Sequence, residues 1–479
     1  MIPQEVKFVI EELEKAGYEA YVVGGCVRDI LSGLEPQDWD ATTNATPEEI
    51  AKVFAKTYAD NKFGTVVVVS GEMEIEVTPY RIESKYTDKR HPDKVRFAKT
   101  LKEDLKRRDF TVNAIALRLK NGEPQIIDLF KGQEDLKNKI IRAVGKAEDR
   151  FNEDALRMLR AVRIATVLGF SIEAKTLAAI KKKADWMQFI SKERIRDEFT
   201  KTIMVKNAAD GIELLRKLGL LKYIIPELEE GCGVGQNKHH VYEVYKHNLL
   251  CLDYAAKKNF NRYVRIAVLL HDVGKPRVKN GEGADSTFYN HEIVGAKMCD
   301  QILRRLKFSK KDAEKITRLV RYHLFYYNVD EVGEASVRRL VRQVGTENME
   351  ELLEVRMCDR IGSGCPKAEP YKLRHLKYLI EKVALDPISV KMLKIGGREV
   401  MDLLKIKPGP IVGEILSVLL SQMLLNPENN KKEILEKEVK RLGKLSAEEF
   451  QKLVKEAEEE RQKTETKRDE MTKSKYWVT

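Results

Sequence analysis

Two aspartates, Asp38 and Asp40, stand one residue apart in the segment EPQDWDATT. In a β-strand, residues i and i+2 project from the same face, roughly 6.5–7 Å apart. Mg²⁺ prefers oxygen ligands, and pairs of such ions about 3.5–4 Å apart serve phosphoryl-transfer sites. The spacing therefore predicts Asp38 and Asp40 as catalytic Mg²⁺ ligands. Acids that alternate along an edge strand are also common on its solvent face, so this prediction needs support from neighbouring residues.

Two nearby segments give that support. YVVGGCVRD leads from an apolar strand through Gly24 and Gly25 into a helix start, where free backbone N–H groups can hold a triphosphate and Arg28 can supply a counter-charge. EMEIEVTPYR alternates acids with apolar residues, so Glu74 and Glu76 share one face of a second strand. We expect Glu76 to be the third catalytic carboxylate, with Glu74 as the alternative.

A charged helical face is predicted further along the chain. A helical wheel over 150–163 separates apolar residues from one polar side, which carries Arg150, Glu153, Asp154, Arg157 and Arg160. Asp154 accepts hydrogen bonds and Arg157 donates them, so the two together can imitate the Watson–Crick edge of a base. A surface ion pair is the ordinary alternative for such residues.

The elements that must position these residues change character along the chain. Up to about residue 145, strands alternate with short helices, one of them opened by the N-cap sequence Thr46-Pro47-Glu48-Glu49. From about residue 146 strand patterns vanish and amphipathic stretches follow at 151–168, 173–184 and 192–204. The pattern predicts an α+β head with a small mixed sheet, followed by an all-helical remainder.

Gly- or Pro-containing breaks divide that remainder into three parts. The predicted domains are a catalytic head (1–145), a helical neck and body (146–228), a third helical domain (229–395) and a helical tail (396–479). The tail includes KIGGREVMDLLKIKPGPIVGEIL at 394–416 and is expected to hold RNA, or else to be an ordinary helical hairpin.

Composition favours a polyanionic partner. The 479 residues include 87 Lys and Arg against 75 Asp and Glu, a net charge of +12, which suits nucleic acid. The six cysteines form no CxxC pair, so neither a zinc knuckle nor a disulfide framework is indicated. The first 16 residues lack a signal-peptide core, and no stretch approaches a membrane span. We therefore expect a cytoplasmic location.

Several motifs together resemble one family. GGCVRDILSG followed by DWDATTNATPEE, then TDKRHP (87–92), RRDFTVNA (107–114) and NEDALRMLRAVR (152–163), are similar to the ordered motifs of class II tRNA nucleotidyltransferases and bacterial poly(A) polymerases. These enzymes belong to the polymerase β nucleotidyltransferase superfamily. One departure is Trp39, which stands between the two aspartates where the family more often has an aliphatic residue.

The resemblance assigns roles to further residues. It implies that Glu153, Asp154 and Arg157, assisted by Arg160, form a protein template that selects CTP and then ATP. It also implies that Arg108, Asp109 and Asn113 contact the sugar and phosphates of the nucleotide.

The polar segment 84–100 is predicted to be a loop. In this family a loop here, containing Asp88 and Arg90, helps the site to switch from C to A addition. A plain solvated loop is the alternative.

Four of the eight histidines fall between residues 247 and 323, and HDVGK at 271–275 ends an apolar run. The set resembles the HD phosphohydrolase superfamily, whose H…HD…D pattern is matched by His247, His271, Asp272 and Asp359. His291 and His323 are candidates for a second metal position. The resemblance thus implies a divalent metal of unidentified type in the 229–395 domain and a phosphohydrolase activity there.

Taken together, the sequence predicts an Mg²⁺-dependent nucleotidyltransferase that adds or repairs the 3′-terminal CCA of tRNA from CTP and ATP. The basic body is expected to grip the tRNA acceptor arm through its phosphates. The alternatives are a poly(A) polymerase on the same fold, an HD phosphohydrolase with an RNA-binding head, and a noncatalytic RNA-binding protein.

Overall fold

The computed structural model describes residues 2–59, 64–84, 94–120, 123–237, 241–329, 331–384 and 390–478. Two compact units are present: Met1–Leu324 with Glu350–Ala368, and Phe325–Met349 with Glu369–Thr479. The predicted residues Asp88 and Arg90 lie outside the described residues.

The head of the first unit is built on a mixed seven-stranded sheet of order β3-β4-β5-β2-β1-β8-β9. The strands are β1 Ala20–Val23, β2 Asp40–Thr43, β3 Thr57–Ala59, β4 Val66–Ser70, β5 Met73–Pro79, β8 Ile115–Lys120 and β9 Glu123–Asp128. Strands β2 and β5 are parallel, and the other neighbours are antiparallel. A separate hairpin pairs β6 Arg81–Ser84 with β7 Lys94–Phe97, so the prediction of a loop over 84–100 is wrong for 94–97. The head helices are α1 Gln4–Lys15, α2 Gly25–Leu31, α3 Pro47–Val53, α4 Leu101–Lys106 and α5 Gly132–Lys137.

One face of this sheet is covered by an apolar core, as the strand patterns predict. Ile75 and Val77 of β5 are buried in it, while Glu74 and Glu76, which alternate with them, are exposed. Trp39 is also in this core, at 5% exposure. Since neighbouring residues in an extended chain point to opposite sides, the buried indole turns the carboxylates before and after it away from the core.

The rest of the first unit is helical. Its helices are α6 Ala147–Glu153, α7 Arg157–Leu168, α8 Ala174–Lys183, α9 Lys192–Ile203, α10 Ala208–Lys217, α11 Pro226–Glu229, α12 Val244–Lys257, α13 Arg262–Leu270, α14 Lys275–Val278, α15 His291–Arg305, α16 Lys310–Tyr322 and most of α18 Met349–Gly362. The expectation that strands vanish after residue 146 is wrong at one place, because β10 Ile140–Ile141 pairs in parallel with β11 Ser171–Ile172. Two residues are too few to leave a strand periodicity in the sequence.

The second unit is helical throughout its described residues. It contains α17 Glu334–Val344, α19 Tyr371–Ala384, α20 Gly397–Leu404, α21 Pro410–Leu425, α22 Lys432–Leu442 and α23 Ala447–Lys475. Its core includes Val400, Leu419 and Val439, which are completely buried.

The predicted α+β head followed by helices is therefore confirmed, while the four-part division at 145, 228 and 395 stays a prediction. Among the described residues, no helix combines the length and the hydropathy that crossing a membrane requires.

Candidate functional site

A cavity of about 400 Å³ opens where the head sheet meets α4, α7 and α9. Ten of the predicted site residues line it: Gly24, Gly25, Asp40, Glu76, Arg108, Asp109, Asn113, Asp154, Arg157 and Arg160. Asp38, Arg28 and Glu153 are not among its lining residues. Arg81, Arg107 and Arg194 also line it, and the sequence did not identify them.

The carboxylates meet at the junction of two parallel strands. Asp40 is the first residue of β2 and is the register partner of Glu76 in β5, so both side chains lie on the same face. Glu74 is instead opposite Val69 of β4, before the β2 pairing begins. This register favours Glu76 over Glu74 as the third carboxylate.

Asp38 lies just before the strand, and the prediction that both aspartates are in one strand is wrong for it. The β1–β2 ladder ends with Val23 opposite Asp40, because the chain turns at Gly24 into α2 and leaves Asp38 without a partner strand. The two charges still interact: burial raises the pKa of Asp40, Arg108 opposes the rise, and Asp38 adds to it. A divalent cation beside these acids would relieve this repulsion, so the donor set fits Mg²⁺.

Gly24 is fixed in place by its surroundings. Its φ is +86°, and a Cβ there would lie 3.0 Å from Arg108 Nη1 and 3.3 Å from Asp40 Oδ2. Only glycine therefore lets the backbone approach both the carboxylate and the guanidinium.

A chain of polar side chains forms one wall of the cavity. Arg28 Nη1 donates to Asn113 Oδ1 at 2.9 Å, and Asn113 Nδ2 donates to Asp109 Oδ1 at 3.2 Å. Arg160 donates to the other oxygen, Asp109 Oδ2, through Nε at 2.8 Å. Although burial alone would raise it, the pKa of Asp109 is held well below its ordinary value by Arg160 and Arg157. Arg28 does not line the cavity itself and contacts a lining residue, Asn113, through this hydrogen bond.

The predicted continuous helix over 150–163 is wrong, since α6 ends at Glu153 and α7 begins at Arg157. Asp154 has extended backbone angles, and its Oδ1 accepts a hydrogen bond from Leu156 N–H at 3.0 Å. This local bond competes with the helical one and ends the helix. Asp154 and Arg157 both line the cavity despite this break.

Both members of the predicted base-reading pair have charged partners. Arg194 of α9 donates to both oxygens of Asp154, at 3.2 and 2.7 Å. Arg157 Nη1 donates to Glu153 at 2.6 Å, and its Nη2 donates to the Arg107 carbonyl at 2.8 Å. Glu153 therefore holds Arg157 and does not itself line the cavity.

A second cluster surrounds Asp272, which follows α13. His247 Nε2 and His271 Nε2 lie 3.3 and 3.4 Å from Asp272 Oδ2. His291 Nε2 and His323 Nε2 lie 3.4 and 3.7 Å from the other oxygen, Oδ1. One carboxylate thus stands between two pairs of imidazoles, and Asp359 Oδ1 completes the first group at 3.3 Å from His247 Nε2.

The tautomers of these rings fit metal ligation. The Nδ1 atoms of His271, His291 and His323 lie 2.7, 2.8 and 2.7 Å from the carbonyls of Val268, Phe288 and Val320. A carbonyl only accepts, so each Nδ1 carries the proton and each Nε2 presents a lone pair to the cluster.

The cluster also holds unsatisfied buried acceptors. Both oxygens of Asp272 are buried and lack a hydrogen bond of good geometry, although Lys275 Nζ lies 2.6 Å from Oδ2, and the Nε2 atoms of His247 and His271 are only 3.0 Å apart. Burial lowers the pKa of His323 to about 3, which keeps that ring neutral. The residues present therefore fit one or two divalent cations.

Cys251 was missed by sequence reasoning. Its Sγ lies 3.7 Å from His247 Nε2, one helical turn further along α12. The i, i+4 spacing with His247 was the available signal. The cluster opens into a cavity of about 770 Å³ lined also by Lys275, Arg356 and Arg360.

Comparisons with known proteins agree with this arrangement. Residues 20–142 match the family model of the poly A polymerase head domain, 169–232 match a probable RNA and SrmB-binding site of polymerase A, and 237–361 match the HD domain.

Among curated relatives, the CCA-adding enzyme of Ligilactobacillus salivarius is 36% identical over 92% of this chain and 98% of its own length. That of Enterococcus faecalis is 32% identical over 91% and 95%. A crystal structure of the Bacillus stearothermophilus CCA-adding enzyme in complex with CTP is similar with a TM-score of 0.62 at 30% identity, covering 92% of this chain and 98% of that one. The chain belongs to the family of CCA-adding enzymes.

Proposed function

We propose that this chain adds or repairs the 3′-terminal CCA of tRNA from CTP and ATP, without a nucleic-acid template. The proposal rests chiefly on one observation. The cavity that contains Asp40 and Glu76 also contains Asp154 and Arg157, so metal-binding acids and a donor–acceptor pair of protein groups face one space.

The donor–acceptor pair accounts for base choice. Cytosine and adenine each present an exocyclic amino group beside an unprotonated ring nitrogen, so Asp154 accepts from the first and Arg157 donates to the second. Uracil and guanine present a carbonyl oxygen beside a ring N–H. The carbonyl oxygen would face the Asp154 carboxylate, which is also an acceptor, and the N–H would face Arg157, which is also a donor. CTP and ATP are therefore accepted, and UTP and GTP are rejected.

The acids carry the chemistry of transfer. Asp38, Asp40 and Glu76 would hold Mg²⁺, which activates the primer 3′-hydroxyl and neutralises charge on the departing pyrophosphate. Gly24 and Gly25 bring the backbone close to the triphosphate, and Arg108 with Asn113 orients the phosphates and the sugar. We propose that the segment containing Asp88 and Arg90 helps the site to change from C to A addition.

The tRNA partner fits the charge of the chain. The excess of Lys and Arg favours binding to the acceptor arm through phosphates, with salt-sensitive affinity. We assign RNA binding to the body (146–228) and the tail (396–479), and we place the reaction in the cytoplasm, where all six cysteines would remain free thiols as they are here.

A second activity is supported by the Asp272 cluster. Three Nε2 lone pairs and the Asp272 carboxylate face a cavity whose lining also includes Lys275, Arg356 and Arg360. This arrangement is suited to metal-assisted hydrolysis of a phosphate ester. The metal there remains unidentified. A poly(A) polymerase, or an HD phosphohydrolase with a merely RNA-binding head, is not favoured by the relatives named above.

One assay tests the main proposal. Labelled CTP and ATP are offered with Mg²⁺ to tRNA that lacks its terminal CCA, and the product is sequenced at its 3′ end. We expect two C residues and one A, with no incorporation by Asp40→Ala. Unlimited A addition would support a poly(A) polymerase instead, and CMP addition by Asp40→Ala would refute the assigned acid.

A further inference from the structure

Asp104 is a buried acid that the assigned chemistry does not use. It lies in α4 with a side chain that is 0% exposed. Its Oδ1 accepts from Arg107 Nε at 2.9 Å and lies 2.7 Å from Arg107 Nη2, while Oδ2 lies 3.6 Å from Arg108 Nη2. One carboxylate therefore holds two consecutive arginines.

Those two arginines line the head cavity beside Asp40 and Glu76. Arg108 reaches so far that its Nη1 would be 3.0 Å from a Cβ on Gly24, at the turn expected to receive the triphosphate. Both guanidiniums thus stand where the phosphates of a nucleotide would be bound, and guanidinium is the protein cation best matched to phosphate oxygens.

Asp104 also contacts the catalytic strand. The hydroxyl of Thr42, two residues after Asp40 in β2, lies 3.3 Å from Asp104 Oδ2 and donates to the Thr78 carbonyl at 2.9 Å. The acid is thereby fixed relative to both β2 and β5, the strands that carry the proposed metal ligands.

The charge of this acid is retained in the fold. Burial would raise the pKa of Asp104, but the pKa is lowered overall because Arg107 and Arg108 favour the ionised form. An ionised carboxylate can anchor both arginines, whereas a neutral amide would present an N–H group to one of the guanidiniums.

We infer that Asp104 is a positioning residue for the pyrophosphate part of the incoming nucleotide: it holds Arg107 and Arg108 against the triphosphate beside the metal-binding acids. The inference rests on the proposed nucleotidyl transfer and adds to it the residue that organises phosphate recognition. Asp104 does not contact the base-selecting residues directly: it contacts the guanidinium of Arg107, whereas Arg157 is held by the backbone carbonyl of Arg107 and by Glu153.

The chain offers a matched control. Asp135 is also buried, at 3% exposure, and its carboxylate also accepts from an arginine, Arg142, and from a threonine hydroxyl, Thr111. None of these three residues lines the cavity. Asp135→Asn therefore removes the charge of another buried carboxylate in the same head, paired with a more exposed arginine, without touching the proposed phosphate site.

The test uses inorganic pyrophosphate with Mg²⁺ as an inhibitor of CMP addition to tRNA, in the wild type, Asp104→Asn and Asp135→Asn, with melting temperatures recorded for all three. For Asp104→Asn we expect the inhibition constant of pyrophosphate and the KM for CTP to rise about tenfold, the scale of one lost charge-assisted hydrogen bond. We expect an unchanged preference for CTP over UTP. For Asp135→Asn we expect lowered stability with an unchanged inhibition constant.

An unchanged inhibition constant in Asp104→Asn, or an equal rise in Asp135→Asn, would overturn the inference. A wild type that adds no CMP would instead overturn the proposed function, whatever the variants do. Should Asp104→Asn not fold, Asp104→Glu, which keeps the charge but moves it, is expected to weaken pyrophosphate inhibition, and an unchanged constant there would also overturn the inference.

Discussion

At the scale of single residues, the surroundings of Gly24 predict that its substitution affects both activity and stability. Gly24→Ala puts a Cβ 3.0 Å from Arg108 Nη1 and 3.3 Å from Asp40 Oδ2, and it strains a backbone with φ of +86°. We expect CMP addition to be lost together with about 1–3 kcal/mol of stability. Steady-state kinetics and thermal melting measure the two effects separately.

Gly17 supplies the control for that substitution. Its φ is +89°, but a Cβ there would meet nothing within 4 Å. Gly17→Ala should therefore lose stability and keep its kcat/KM for CTP. Equal activities in the two variants would mean that the contact with Arg108 and Asp40 does not matter.

Arg157 carries the second prediction at this scale. Arg157→Ala removes the proposed donor to the ring nitrogen of the base, so we expect the CTP-to-UTP preference to fall by roughly 10- to 100-fold, equivalent to about 1–3 kcal/mol. The KM for tRNA should stay the same. Competition between CTP and UTP, read from incorporated label, measures the change.

Arg163, on the same helix, is the matched control for Arg157. Its Nε donates to Glu198 at 2.7 Å, and it does not line the cavity. Arg163→Ala should leave the base preference unchanged. A loss of preference in both variants would point to general loosening of α7 rather than to base recognition.

At the scale of secondary-structure elements, local signals in the sequence predicted the start of one helix correctly but did not reveal the break in another. The helix predicted from Thr46 is present with its capping box, because Thr46 and Glu49 bond each other's backbone within one turn. The break at Asp154 was missed because the apolar period runs through it: Phe151, Ala155 and Met158 are all completely buried. The hydrogen bond from Leu156 N–H to the Asp154 side chain ends the helix without altering that period.

Contacts between elements that are distant in sequence could not be predicted from local patterns. Arg194 and Asp154 are 40 residues apart, and Thr42 and Asp104 are 62 apart. No spacing rule links such residues in a single sequence, whereas a strand's face or a helix's cap is encoded within a few neighbours. The sequence could therefore name most residues of the cavity wall but not a distant contact such as that of Arg194 with Asp154.

Strand register gives the prediction that belongs to this scale. Because Asp40 pairs with Glu76 across parallel strands, Glu76→Gln should lower kcat for CMP addition by about 10²-fold or more. Glu74→Gln is the control, since Glu74 is exposed, does not line the cavity and stands opposite Val69. Single-turnover rates at saturating CTP compare the two. A larger loss in Glu74→Gln would show that the third carboxylate had been assigned to the wrong residue.

At the scale of the whole molecule, the first compact unit contains two separate clusters of potential metal ligands. The head cavity and the Asp272 cavity share no lining residue. Their ligand chemistry also differs: the head offers carboxylates alone, which suit Mg²⁺, while the second cluster is rich in imidazole, which suits softer transition metals. The two centres should therefore be loaded by different ions and inactivated separately.

A pair of reciprocal substitutions tests this separation. His271→Ala removes an Nε2 ligand that lies 3.4 Å from Asp272 and 3.0 Å from His247, so we expect the protein to retain less of a transition metal after dialysis. Asp40→Ala should keep that metal and lose CMP addition, while His271→Ala should add CMP at the wild-type rate. Elemental analysis of the dialysed protein, CMP incorporation and hydrolysis of a simple phosphodiester give three independent readouts for each variant. Loss of CMP addition in His271→Ala, with an unchanged melting temperature, would mean that the two centres are coupled, because a folded head would then depend on a metal that none of its own residues binds.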